Sequence, residues 1–245
     1  MTGFRLGYVP GVTPAKWARL WAERFPRIPL DLIQVAAADA PALVRRPATD
    51  ASDPVRRTAA DAVLLRLPID RTGLHAIPLY AETTVVVVPK DHVVTAADEI
   101  TVDDLTDELV LHPLDDVLAW DHPPGRLIGD RPASTADAIA LVAMGTGLLV
   151  VPQSLARLHH RKDLTYRPLT GVPESQVALS WPEDDPSELV EHFIGIVRGR
   201  TPNSSRGPAT AQAAEKQPAG KTTSKKQRPP QSPASGRRKP PRRQR

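Results

Sequence analysis

An α/β fold built on a parallel sheet is what this 245-residue sequence predicts, and three observations predict it. Short aliphatic and β-branched runs alternate along the chain with stretches whose apolar residues recur at helical spacing. Strand, helix and strand in that order pack as right-handed parallel crossovers. Every Leu, Ile, Val, Phe, Trp and Tyr lies before residue 201, so the segment able to bury a core ends there.

The elements follow in order. Phe4 to Val9 reads as a strand, and Pro14 to Phe25 as a helix with Trp17, Leu20, Trp21 and Phe25 on one stripe. Leu30 to Val35 is a second strand, Ala40 to Arg46 a short helix and Ala62 to Leu67 a third strand. Residues 47–60, rich in Pro, Asp and Arg, are expected to form an exposed loop within that βαβαβ series. A second lobe begins at the buried strand Thr84 to Val88, closed by Pro89. Thr101 with Asp104 three residues later signals a short capped helix. Leu109 to His112 reads as a strand, Asp115 to Trp120 as a helical turn and Asp121 to Arg131 as a loop. Ser134 caps a helix from Thr135 to Met144 that Gly145 and Gly147 terminate. Leu148 to Val151 is a strand stopped by Pro152, and Gln153 to His160 a helix. Leu164 to Pro168 and Gln176 to Trp181 are strand-like, and Ser187 to Val197 is a helix with Leu189, Val190, Phe193 and Val197 on one side. That last part is expected to return to the first lobe. Lobe I is then residues 1–83 and 164–200, lobe II residues 84–163, and 201–245 a basic tail. Chain crossings near Tyr80 to Thr84 and near Arg161 to Leu164 would make a two-stranded hinge.

Composition narrows the function. With no cysteine, the chain can have no disulfide, thiolate metal site or cysteine nucleophile. The start at Met1-Thr2-Gly3 leads directly into an apolar strand without the pattern of a secretory signal, and the longest apolar runs fall far short of the roughly 20 residues that cross a bilayer. A cytoplasmic protein without membrane contact is expected. The net charge of +4 conceals a split, because residues 201–245 hold 12 Lys or Arg against a single acidic residue, Glu215. The body before the tail is acidic, and the tail is expected to be disordered. Without aromatic residues, the tail can neutralise phosphates but cannot read bases, so any nucleic-acid binding would be non-specific and salt-sensitive; the plain alternative is a solubilising extension.

The order of segments resembles the effector-binding domain of LysR-type transcriptional regulators. FRLGYVPG, a helix ending in RFP, PLDLIQV, DAVLLRLP, LHAIPLYAETTVVVVPKDH, ALVAMGTGLLVVPQSL and WPEDDPSELVEHFIGIVRG carry the resemblance, which covers roughly residues 4–199. The resemblance implies a type 2 periplasmic-binding-protein-like fold, two lobes holding a small-molecule effector, and side-by-side homodimers. The family's N-terminal helix-turn-helix has no counterpart in this sequence, which begins at the sensor's first strand.

Ligands of such sheets sit beyond the carboxyl ends of the strands, where helices begin. The first such place is Gly11-Val12-Thr13 before Pro14, with Thr13 as helix cap and, at the same time, a candidate ligand contact. Ser134 and Thr135 open the corresponding helix of lobe II, either as caps alone or as the second half of the site. Two facing helix starts would favour an anion. Arg66, at the end of a strand, can clamp a carboxylate or form a structural ion pair, and His112 occupies the matching position in lobe II. Gly145, Thr146 and Gly147 read as a turn. His159-His160 beside Arg161-Lys162 is a poor metal site, and Asp103-Asp104, Asp107-Glu108 and Glu183-Asp184-Asp185 read as solvated or helix-start charges. No nucleophile elbow, phosphate loop, dinucleotide fingerprint or zinc-protease motif occurs, so neither enzyme chemistry nor a cofactor or metal is expected. One alternative keeps the fold as a solute receptor without regulation, and another is a nucleoid-associated or interaction module whose working part is the tail.

Overall fold

A computed structural model describes residues 3–45, 60–127, 129–184 and 187–200, all within one compact unit. The tail at 201–245, Asp185 and all but Ala60 of the 47–60 loop lie outside the described residues.

Two sheets organise the chain. The first has the order β2-β1-β3-β11-β4, from β1 (Phe4–Tyr8), β2 (Leu30–Gln34), β3 (Ala62–Leu67), β4 (Leu74–Glu82) and β11 (Ser175–Pro182). β1 pairs in parallel with β2 and β3, the expected crossover unit, whereas β11 runs antiparallel to both β3 and β4. The helices of this lobe are α1 (Ala15–Arg24), α2 (Ala40–Val44) and α5 (Glu188–Val197). Trp21 ties α1 down: it is 1% exposed, its ring lies 4.7 Å from Phe4 and 6.0 Å from Phe193 of α5, and its indole N–H donates to the Ile28 carbonyl at 2.9 Å. The indole is apolar over its body and satisfied at its one donor, so burial carries no orphaned polar group.

The second sheet has the order β6-β10-β5-β9-β7-β8, from β5 (Thr84–Pro89), β6 (Ile100–Thr101), β7 (Leu109–Leu111), β8 (Arg126–Leu127), β9 (Leu148–Pro152) and β10 (Leu164–Thr170). It is apolar on both faces, and the strand period of two deals its side chains alternately. Val85, Val87, Leu149 and Val151 enter a core with Ala138, Ile139 and Val142 of α3 (Thr135–Ala143) and Leu155 of α4 (Gln153–Leu158). Val86, Val88, Leu148 and Val150 face the other way, onto Val94, Ile100, Leu105 and Leu118. This explains the uninterrupted apolar runs at 84–88 and 148–151.

Three expectations need correction. The strand at Leu164 does not return to the first lobe, because β10 pairs antiparallel with β5 and in parallel with β6. The return crossing therefore falls between Thr170 and Ser175, so lobe II extends to residue 170. Asp115 to Trp120 forms no helix; Asp116 takes up the local donors instead, accepting from Leu118 N–H at 2.9 Å and from the Trp120 indole N–H at 2.9 Å. The helix expected after Thr101 is a single 3-10 turn, Asp103–Leu105, with the Asp104 carboxylate accepting from the Thr101 amide at 2.8 Å and hydroxyl at 2.9 Å.

Candidate functional site

Between the two sheets lies a cleft of about 940 Å³. Its lobe I wall is Pro10, the Ala36-Ala37-Ala38 stretch after β2 and Leu67-Pro68-Ile69 after β3. Its lobe II wall is Leu114 to Ala119 after β7, the start of α3 at Ser134 to Ala136, and Leu155 and Leu158 of α4. The strand carboxyl ends of both lobes thus open onto one space, since each chain turns from strand toward helix at the same edge of its sheet. Most of the wall is apolar, with a small set of polar groups among it.

Two strands of chain join the lobes. The outgoing one is Glu82 to Thr84 and the returning one ends at Ser175, which sits opposite Glu82 in the β4–β11 pairing. The Thr84 hydroxyl donates to the Pro173 carbonyl at 2.7 Å, and Gln153 N–H donates to the Thr83 carbonyl at 2.9 Å.

Arg66 anchors this junction. Its Nε donates to Glu82 Oε2 at 2.7 Å, one terminal nitrogen donates to the Pro10 carbonyl at 2.9 Å, and the other donates across the lobes to Ser154 Oγ at 3.0 Å. Ser175 Oγ donates to the same Glu82 oxygen at 3.2 Å. The Arg66 side chain is 3% exposed and that of Glu82 6%. Of the two roles the sequence allowed for Arg66, the structure shows the ion pair with Glu82; three of its five N–H groups have protein acceptors, and the residue also borders the cleft.

The other sequence candidates divide. Ser134 and Thr135 line the main cleft. Ser134 caps α3, its Oγ accepting from Asp137 N–H at 3.2 Å. Thr135 is 3% exposed, and both its amide and its hydroxyl donate to Asp115 Oδ1, at 2.6 Å and 2.9 Å. Gly11 and Thr13 line a smaller neighbouring hollow of about 490 Å³ with Tyr8, Gln34 and Arg157. Thr13 is exposed and makes no cap; the cap position of α1 falls on Pro14, without a side-chain hydrogen bond. Val12 also borders that hollow, but it is 3% exposed and packs into the lobe I core. Gly11 has φ +84°, and a Cβ there would meet Ser154 Oγ at 2.8 Å and an Arg66 nitrogen at 2.9 Å, so glycine lets this loop touch lobe II. His112 borders neither space; its Nε2 lies 2.8 Å from Asp116 Oδ2, and its carbonyl accepts from Arg131 Nε at 2.9 Å.

Asp115 and the Arg45–Asp70 pair, both on the cleft wall, were not among the sequence candidates. Asp70 accepts from the Thr72 amide and hydroxyl at 3.0 Å and 2.7 Å and from Arg45 at 2.9 Å. These bonds, those of Thr72 first, hold its carboxyl below the usual carboxylate range. Tyr80 near the junction moves the other way, its phenol pushed up by burial and then by the Glu82 charge. Among the described residues no cluster of His, Asp and Glu could hold a metal ion, and no helix is long and apolar enough to cross a membrane.

Two α/β lobes, a double-stranded junction and a strand-end cleft make a bilobal domain with a type 2 periplasmic-binding-protein-like fold. The family model described as the LysR substrate binding domain matches residues 5–202, and the chain belongs to that family. It is 25% identical over 191 residues to the HTH-type transcriptional regulator AlsR of Bacillus subtilis (strain 168), covering 73% of this chain and 59% of AlsR. It is 31% identical over 161 residues to a protein of Mycobacterium avium named "Probable hydrogen peroxide-inducible genes activator", covering 62% and 49%. The chain thus spans about half the length of these relatives, which are regulators of transcription. Among solved structures, the oxidised form of OxyR superposes with TM-score 0.64 at 20% identity, covering 82% of this chain and 96% of that one. The BenM effector binding domain with its effector benzoate gives 0.62 at 18% identity, covering 80% and 90%. At these identities the likeness is one of fold.

Proposed function

We propose that this chain is the sensing part of a transcriptional regulator, in which a small molecule enters the cleft between the lobes and shifts the balance between open and closed arrangements. The observation that carries this reading is the 940 Å³ space walled by both lobes beside a two-stranded junction. A ligand touching both walls binds the closed arrangement better than the open one, and that difference in affinity is all it needs to move the equilibrium. The moving units are the lobe of the first sheet and the lobe of the second sheet. The shape change passes to a partner, either a second copy of the chain or a nucleic acid held by the basic 201–245 segment. A bound carboxylate is less well supported than the two helix starts suggested from sequence, since Asp115 already accepts from the first amide of α3. The cytoplasm is the compartment that suits such a regulator.

Thermal unfolding in the presence of a chemically broad ligand panel tests the proposal, because any specific binder raises Tm by mass action. The comparison proteins are Ala38→Trp and Ala136→Trp, which place an indole on each cleft wall from exposed positions. The expected result is a Tm rise for some panel members in the wild type and none in either variant. Equal rises in all three proteins would remove the cleft from the account.

A further inference from the structure

The chemical character of the ligand follows from what already fills the start of α3. A helix start attracts an anion through its free amides and its partial positive charge. In this protein the anion is the protein's own: Asp115 Oδ1 takes the amide and hydroxyl of Thr135, and Ser134 Oγ takes the Asp137 amide. Asp115 Oδ2 has no protein donor among the described residues, and Asp115 lines the cleft.

The other charged groups of the wall each have a partner on the wall or just behind it. Arg66 is held by Glu82 at 2.7 Å, Arg45 by Asp70 at 2.9 Å, and Asp116 by His112 at 2.8 Å together with Trp120. His159 adds an imidazole that can donate or accept. Asp115 is therefore the wall carboxylate whose only donors among the described residues are the amide and hydroxyl of Thr135, while alanine, proline, leucine and valine make up most of the remaining wall. A ligand carboxylate placed at the start of α3 would stand beside the Asp115 charge, with the Thr135 and Asp137 amides already taken. An ammonium or hydroxyl would find an acceptor.

Resting on the sensor reading above, we propose that the cleft takes an uncharged or cationic, largely apolar molecule whose polar end donates a hydrogen bond to Asp115 Oδ2. The carboxylate at residue 115 excludes acidic ligands and selects amines and alcohols of the same skeleton.

The test measures affinities of the full chain for phenyl and naphthyl skeletons carrying an aminomethyl, hydroxymethyl or carboxylate group, by calorimetry and thermal shift. It includes Asp115→Asn, which keeps an oxygen for the Thr135 donors while removing the charge, and the cleft-filling Ala136→Trp. The expected result is a preference of at least about tenfold for amine over carboxylate in the wild type, one charge-assisted bond's worth. In Asp115→Asn the amine should weaken by about tenfold, the alcohol should change by less than about threefold, and the carboxylate should gain. Carboxylates that bind more tightly than amines, and lose binding in Ala136→Trp, would overturn the ligand class while leaving the sensor reading intact. Amine binding untouched by Asp115→Asn would overturn the role of Asp115. Binding by no skeleton in any form would overturn the sensor reading and this proposal with it. Where Asp115→Asn fails to fold, the amine-to-carboxylate ratio of the wild type alone decides.

Discussion

Replacing Glu82 by alanine would leave the Arg66 guanidinium in a site where its side chain is 3% exposed, without its 2.7 Å partner. Both charges are removed from water, so the folded state depends on their mutual attraction and on the bonds to Pro10, Ser154 and Ser175. Breaking one half of such a pair costs about 3–5 kcal/mol. For a chain of this size that corresponds to a fall in Tm of roughly 6–20 °C. Arg66→Met should cost a similar amount, because it strands the Glu82 carboxylate. The double change Arg66→Met with Glu82→Ala removes both charges and retains the loss of the hydrogen bonds to Pro10, Ser154 and Ser175, about 1 kcal/mol each. The double variant should therefore be no less stable than either single variant, with a coupling energy of about 3–7 kcal/mol. Urea unfolding of the four proteins, compared at matched m-values, measures this directly. Single changes that cost less than about 1 kcal/mol each and add in the double variant would refute the idea that this pair anchors the junction.

Other expectations follow from single contacts. Gly11→Ala should destabilise by about 1–3 kcal/mol, because the backbone is left-handed there and the new methyl lies 2.8 Å from Ser154 Oγ; thermal unfolding checks it. Ser134→Ala should cost about 1 kcal/mol through the lost cap of α3, read from urea midpoints. Trp21→Ala should cost about 3–5 kcal/mol, since it empties the lobe I core between Phe4 and Phe193. The Asp70 clip has a definite pH sign: its folded-state pKa lies below the ordinary value, so its contribution is present above the ordinary carboxylate range and is lost as pH falls through the lowered value. Carbon-13 NMR titration should show the Asp70 midpoint rising in Thr72→Ala, and an unchanged midpoint would contradict the assigned cause.

The elements with strong local signals are legible in the sequence. α3 has a serine cap in front and a glycine behind, with Gly145 at φ +74°, and β3 is a plain aliphatic run. Ser134 and Thr135 were legible as cleft residues for the same reason, since a helix start after a strand marks the ligand edge of a parallel sheet. β4 was not singled out as a strand: Pro78 interrupts it, and it is accommodated because β4 is an edge strand with an irregular register opposite Val177 and Ala178. The lobe of β10 was misread because period-two patterning reports that a segment is a strand and is silent about its neighbour. Asp115 was missed because its partner, Thr135, lies 20 residues away in sequence, and nothing local links them.

What the order of residues determined alone was the kind of most elements, the family, and the capped helix start at Ser134 and Thr135 that borders the cleft. These depend on periodicity, caps and turn residues within a few positions of one another. The partners of charged groups were settled only when the chain closed on itself. Arg66 could have served a ligand or a neighbour, and folding placed Glu82, Pro10 and Ser154 around it; the start of α3 could have awaited an anion, and folding brought Asp115 to it. Electrostatic pairing acts over a few ångströms in space, a distance that sequence separation does not encode.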